Sequence, residues 1–239
     1  MTQRLYETDA YLRSCDAEIT RVTESGLVLD QTVFYALGGG QPGDRGILTL
    51  ADGASLNVVD TRKTADGDIE HLVDPEQLQA LGGRALLKQS VLATIDWQLR
   101  HQHMRMHTCL HLLCAVVNAP VTGGNLTAQK GRLDFDLPEA TVDKTSLTDA
   151  LNDLISADTS TSLQWISDAE LAAQPELVKT MSVAPPTGVG QVRLLNIEGV
   201  DLQPCGGTHV ARLGEIGPVR ISKIEKKSRL NRRISVVFA

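Results

Sequence analysis

The sequence predicts an α+β protein: a small N-terminal β-barrel or sandwich over residues 1–95, then an α+β half over residues 96–239. Three observations carry this. Short β-branched runs separated by turn signals crowd the first 95 residues. From Trp97 to Val117 there is no Gly or Pro, and Leu99, Met106, Leu110, Leu113 and Val117 recur at helical spacing. Beyond that helix, strand-like and helix-like segments mix.

In order, strands are expected at Ala17–Val22 and Gly26–Val33, around the turn Thr23-Glu24-Ser25-Gly26. Gly46–Leu50 and Leu56–Thr61 flank the hairpin signal Ala51-Asp52-Gly53, and Ile69–Val73 and Ser90–Ile95 complete the set. The long helix ends at Asn118-Ala119-Pro120. A second helix is expected at Lys144–Ile155, where Leu147, Ala150, Leu151, Leu154 and Ile155 make one apolar stripe. A third starts at Ser167, whose pairing with Glu170 is a capping box. Further strands are expected at Arg132–Leu137, Ser162–Ile166, Val192–Ile197, Val219–Ile224 and Ile234–Phe238.

Composition sets limits. Hydrophobic residues make up 42% but aromatics only 3%, so the core must be aliphatic. A formal charge of −6 excludes a globally basic nucleic-acid binder and leaves room for a local basic patch. There is no membrane-length apolar run and no apolar signal region near the N-terminus. The four cysteines form no short paired framework, so a reduced, cytoplasmic protein is expected.

His107 and His111 sit four apart on the best helix, so their rings stand one above the other and can reach one ion. The pair alone is weak; two half-buried histidines bonded to backbone would look the same. Pro204-Cys205-Gly206-Gly207-Thr208-His209 changes this by adding a thiol and an imidazole four apart, with glycines that permit a tight turn. Three imidazoles and a thiolate suit zinc, one ion per chain. No Glu stands beside the first His, which argues against a metallopeptidase. His103 and Cys114 lie near the same helix face; the ordinary reading is a partly exposed His103 and a buried Cys114. Cys109 reads as core, and His71 and His101 as surface.

His107-Thr-Cys-Leu-His111, Gly38-Gly-Gly-Gln41-Pro-Gly-Asp44, Gln129-Lys130-Gly131 and Cys205-Gly-Gly-Thr-His209 occur in an order that resembles the alanyl-tRNA editing proteins. This AlaX family comprises free-standing relatives of the editing domain of alanyl-tRNA synthetase, and the helix and cysteine motifs are also similar to those of the threonyl enzyme. The glycine loop within an N-terminal β domain resembles the longer AlaX class. The resemblance implies a stand-alone hydrolase that removes serine or glycine from mischarged tRNA(Ala), contacting its acceptor end, with no obligate protein partner. It implies zinc ligands His107, His111, Cys205 and His209. Two segments depart from the family: Lys227-Ser-Arg-Leu-Asn231 lacks the glycines usual there, and Phe34-Tyr35-Ala36-Leu37 stands where a Pro-Glu pair is commoner.

Zinc could activate water or hold and orient the substrate; no acid beside the ligands is an evident base, which favours orientation. Thr108, Thr127 and Gln129 are candidates for reading a serine hydroxyl, and Gln41 for a loop presented to the cleft. The ordinary alternatives are a back-bonding helix residue for Thr108, a strand surface residue for Thr127 and a tight turn for Gly38–Gln41. Lys223, Lys226, Lys227, Arg229, Arg232 and Arg233, with Lys130 and Arg132, are candidates for phosphate contacts. Two other readings compete: a zinc hydrolase of small esters or amides without RNA, and a non-catalytic zinc-stabilised RNA-binding module.

Overall fold

Alternation is visible at Ile69–Val73 and Ser90–Ile95, where every second side chain is hidden. The computed structural model describes residues 1–137, 143–180 and 190–239. Its elements are β1 (Gln3–Arg4), β2 (Ser14–Val22), β3 (Gly26–Leu29), β4 (Gln31–Thr32), β5 (Gly46–Leu50), β6 (Ser55–Lys63), β7 (Ile69–Val73), α1 (Pro75–Ala80), β8 (Ser90–Ile95) and α2 (Trp97–Val117). There follow β9 (Val121–Leu126), β10 (Lys130–Asp136), α3 (Lys144–Ser156), β11 (Thr161–Ser167), α4 (Asp168–Ala172), β12 (Gln191–Ile197), β13 (Asp201–Pro204), β14 (Val219–Lys226) and β15 (Asn231–Phe238). The chain divides into two compact units, Met1–His101 and Gln102–Ala239, the division falling inside α2.

In the first unit β2-β3-β7-β6-β5-β8 close into a barrel. Ile19, Leu27, Leu29, Leu48 and Leu56 are fully buried in its interior, each burial contributing roughly 1.5–3 kcal/mol. The expected strand Gly26–Val33 is broken at Asp30. That carboxylate accepts from the backbone N–H of Glu18 at 2.7 Å and of Gln31 at 2.8 Å, a local capture that competes with the ladder. The short helix α1 is capped by Asp74, with Pro75 in its first turn, a start signal the sequence reading passed over.

Two polar groups sit where only satisfied ones survive. Arg100 is fully buried; its Nε donates to both oxygens of Asp44, at 3.1 and 2.9 Å, and its terminal nitrogens Nη1 and Nη2 donate to the carbonyls of Ala10 and Val33. Asp44 also accepts from the Tyr35 N–H at 2.6 Å. The loop ending at Asp44 is thereby fixed, because removing either partner strands a buried charge. His71 is the second, and it corrects an expectation: it is buried, not on the surface. A carbonyl can only accept, so Nδ1 donates to Leu27 O (3.1 Å) and Nε2 accepts from the Thr32 hydroxyl (2.8 Å).

In the second unit β14-β15-β10-β9 form one sheet and β11-β12-β13 another. The long helix spans the expected Trp97–Val117. A Cβ on Gly131 would come within 2.9 Å of Leu110 Cδ2 and Met106 Sδ, so β10 lies tight against the helix that carries the histidines. Strand β9 contains Gly123-Gly124, which reads as loop in sequence; pairing with β10 overrides it. Helix α3 buries Leu147, Leu151 and Ile155, and Asp143 caps it. The capping box at α4 forms as expected. Strand β14 is a sheet edge, and α3 covers it: Asn152 exchanges two hydrogen bonds with the Val219 backbone (2.9 and 3.0 Å), Thr148 Oγ1 accepts from Ile221 N–H and Lys144 donates to Ser222 O.

Burial lowers the His71 pKa from 6.5 to about 4. Below pH 6.5 the unfolded chain takes a proton that the folded barrel refuses, so stability falls as pH drops from 6.5 toward 4. A loss of about 2 kcal/mol at pH 5 relative to pH 7.5 is expected from this group. Urea unfolding at both pH values checks it, and His71→Gln should lose that part of the slope.

Candidate metal centre

Helix spacing puts His107 and His111 on one face of α2; the loop after β13 brings Cys205 and His209 to the same place. Their ligand atoms all lie within 4.8 Å of one another, and the three histidines are buried. Cys205 Sγ is 3.6 Å from His107 Nε2 and 3.1 Å from His209 Nε2. Three imidazole nitrogens and a sulfur so gathered are the donor types that zinc takes in a tetrahedral site.

Each ring needs its metal-facing nitrogen free of a proton, and the surroundings arrange this. Asp201 Oδ2 accepts from His111 Nδ1 at 3.2 Å, which leaves Nε2 for the cluster. The Thr108 hydroxyl donates to Met104 O at 2.9 Å, so it accepts from Val210 N–H and His209 Nδ1, both at 3.2 Å. Thr108 is fully buried with its hydroxyl engaged inside the protein. That corrects its expected role: it orients His209 and does not reach a substrate hydroxyl.

The Cys205 thiol is made more acidic than an ordinary one. Burial would push its pKa up, but the three imidazoles hold it well below the ordinary thiol value. Gly207 N–H also points at Sγ, at 3.4 Å. His111 is driven the other way: burial disfavours its charge, yet Cys205 and Asp201 raise it to about 9. Gly206 and Gly207 turn the chain without a left-handed residue, since neither is among the positive-φ glycines. The loop is fixed by Arg193, which donates to Cys205 O (3.0 Å) and to Gly207 O. His103 and Cys114, near the same helix face, are both buried: Cys114 as expected, His103 against expectation.

Asp201 is the residue the sequence reading missed. It also accepts from Lys179 Nζ (2.7 Å) and Gln203 Nε2 (2.5 Å). Ninety positions separate it from His111, but a nearer signal existed: Asp201 and Gln203 alternate along β13, and Cys205, the first residue after Pro204, continues the alternation.

Against known proteins, residues 192–235 match the family described as the threonyl and alanyl tRNA synthetase second additional domain, and residues 10–98 the class II (A) tRNA synthetases. The chain is 37% identical to the alanyl-tRNA editing protein AlaX-M of Methanosarcina barkeri, over 98% of both chains. The chain belongs to the AlaX-M family. It is 29% identical to the AlaX-M protein of Saccharolobus solfataricus, over 98% of both. It also matches the alanine–tRNA ligase of Sulfurisphaera tokodaii at 36%, covering 94% of this chain and 25% of the ligase.

The other expected site residues of this family member fall in several places. Thr127 and Gln129 are exposed on the β9–β10 hairpin, where the Thr127 hydroxyl accepts from Lys130 N–H at 3.2 Å and shapes the turn. No hydrogen bond engages the Gln129 side chain among the described residues. Gly39 and Gly40 have φ of 57° and 81° and form the tip of a turn closed by paired Gly38–Gln41 backbone bonds. Gln41 itself is buried, so the glycines and not its side chain meet solvent, against expectation.

The basic residues divide. Arg232 is buried and donates to the carbonyls of Ser228 and Asn231, closing the β14–β15 turn that lacks the family's glycines; it is not a free phosphate contact. Arg233 and Arg132 both pair with Asp134, and Lys223 and Lys227 share Glu225. Lys130, Lys226 and Arg229 are exposed, with no ion pair among the described residues. No described helix is long and apolar enough to cross a membrane.

Replacing Asp201 by Asn removes the charge that fixes His111. Zinc affinity, read by chelator competition, should fall about 10–100-fold with the fold retained by circular dichroism. Unchanged affinity would leave Asp201 no part in the centre.

Proposed function

We propose that this chain hydrolyses the ester linking a wrongly attached serine or glycine to tRNA(Ala), with zinc held by His107, His111, Cys205 and His209. The observation that carries the reading is the convergence of these four donors from segments about a hundred residues apart, in a chain of the AlaX-M family. In this reading residues 96–239 carry the chemistry and residues 1–95, with the Gly38–Gln41 loop, are the accessory β domain.

A zinc ion there supplies a Lewis acid and an anchor for the substrate's amino or carbonyl group. The protein's part is to hold and orient. Thr108 and Asp201 lock two imidazoles in one tautomer. Asp201 is not a general base, since its oxygens are engaged by His111, Lys179 and Gln203 away from solvent. An aminoacyl ester is reactive enough for orientation to suffice.

Serine differs from alanine by one hydroxyl. A site that hydrogen-bonds it leaves buried polar groups unpaired with alanine, which can reject the analogue by about four orders of magnitude. Gln129, exposed on the hairpin that packs on α2, is the candidate for that contact. Lys130, Lys226 and Arg229, supported by Lys223 and Lys227, offer the acceptor end a short row of cations. With −6 overall, tRNA binding is weak and salt-dependent.

Serine should be released from mischarged tRNA(Ala) while alanine stays on; zinc-bound protein that releases no serine would end this reading. Cys205→Ala should abolish release with the barrel still folded. Gln129→Ala should erode the preference for serine over alanine, measured as the ratio of the two kcat/KM values, and an unchanged ratio would reject its role.

A further inference from the structure

The two tryptophans are used differently. Trp97 is packed in: its ring lies 5.4 Å from His101 and 5.5 Å from Tyr11, with the Arg13 guanidinium 4.5 Å above it. Trp165 on β11 is 44% exposed, and no ring or cation contact engages it among the described residues. Leu163, two residues earlier on the same face, is 38% exposed.

Strand register fixes where that face points. Trp165 pairs with Arg193 on β12. The β12–β13 register, Leu194 with Pro204 and Leu195 with Gln203, continues to Arg193 with Cys205, whose N–H donates to Arg193 O at 3.0 Å. Directly paired residues share a sheet face. Trp165 therefore stands on the face that presents Asp201, Gln203 and Cys205 to the cluster, two strand spacings or about 10 Å from Cys205. Arg193 between them is committed to the carbonyls of Cys205 and Gly207 and leaves the indole uncovered.

We propose that Trp165, with Leu163 beside it, is the stacking platform for the terminal unpaired nucleobase of the RNA, an inference that rests on the deacylase reading above. An acyl group on a ribose and the base of that same nucleotide are separated by a length of this order. An ester seated at the cluster thus brings its own base to the indole. Every base has a π-face, so an aromatic platform captures a single-stranded end without reading its sequence. The cations provide the charge; Trp165 provides the position.

The test starts from Trp97→Phe, which leaves Trp165 as the only tryptophan. An uncharged acceptor-stem RNA ending in CCA should quench its fluorescence, and the same RNA lacking the terminal A should quench it far less. With seryl-tRNA(Ala), Trp165→Ala should raise KM about ten-fold with kcat nearly unchanged, and Trp165→Phe should restore most of the loss. Serine release by the wild type establishes the deacylase reading separately. If release is normal but Trp165→Ala keeps the wild-type KM and CCA ends do not quench, the platform is overturned alone. A dimer lost in Trp165→Ala with KM unchanged would assign the strand to self-association and also overturn it.

Discussion

The site depends on one constraint: two donor pairs about a hundred residues apart must keep their ligand atoms within 4.8 Å of one another. A helix solves half of it, because its periodicity places His107 and His111 without help. The other pair rides on an irregular loop, and loops do not hold distances to a fraction of an ångström unaided. Arg193 therefore ties down the loop's carbonyls, Thr108 reaches from the helix to His209, and Asp201 reaches from the strand back to His111. The last two are crossed braces: each ligand pair is oriented by a residue from the element that carries the other.

The same economy governs charge. The chain has more basic residues in its C-terminal hairpin than it offers to a polyanion. Arg233 and Arg132 neutralise Asp134, Lys223 and Lys227 share Glu225, and Arg232 is spent on carbonyls. What is left is sparse, which suits an enzyme that must let go of each tRNA. In the barrel, Arg100 shows the opposite use: a guanidinium withdrawn from solvent to pin the loop ending at Asp44.

Much of this was legible in the chain. Trp97–Val117 was readable because nothing interrupts its periodicity, and Ser167–Glu170 because a capping box needs only four residues. The convergence of His107, His111, Cys205 and His209 was readable because its two halves each carry a local spacing. What escaped depends on partners remote in sequence. His71 looked like a surface residue because a polar side chain on an inward position gives no sign of the Thr32 hydroxyl waiting for it. Asp201 escaped for the same reason, and Arg232 passed for a phosphate contact because sequence shows its charge but not its carbonyl partners. Thr108 was read for its hydroxyl, and only its neighbours show that the hydroxyl is spent.

The seal on β14 reaches beyond the site. A bare sheet edge is a template on which a second chain can lay a strand, and so the start of cross-β growth. Here Asn152, Thr148 and Lys144 already occupy backbone groups of Val219, Ile221 and Ser222, in the first half of that edge. An incoming chain would first have to peel away α3, pulling Leu147, Leu151 and Ile155 out of their packing. The sheet is thus terminated by its own polypeptide, and assembly through this edge is coupled to a local unfolding step.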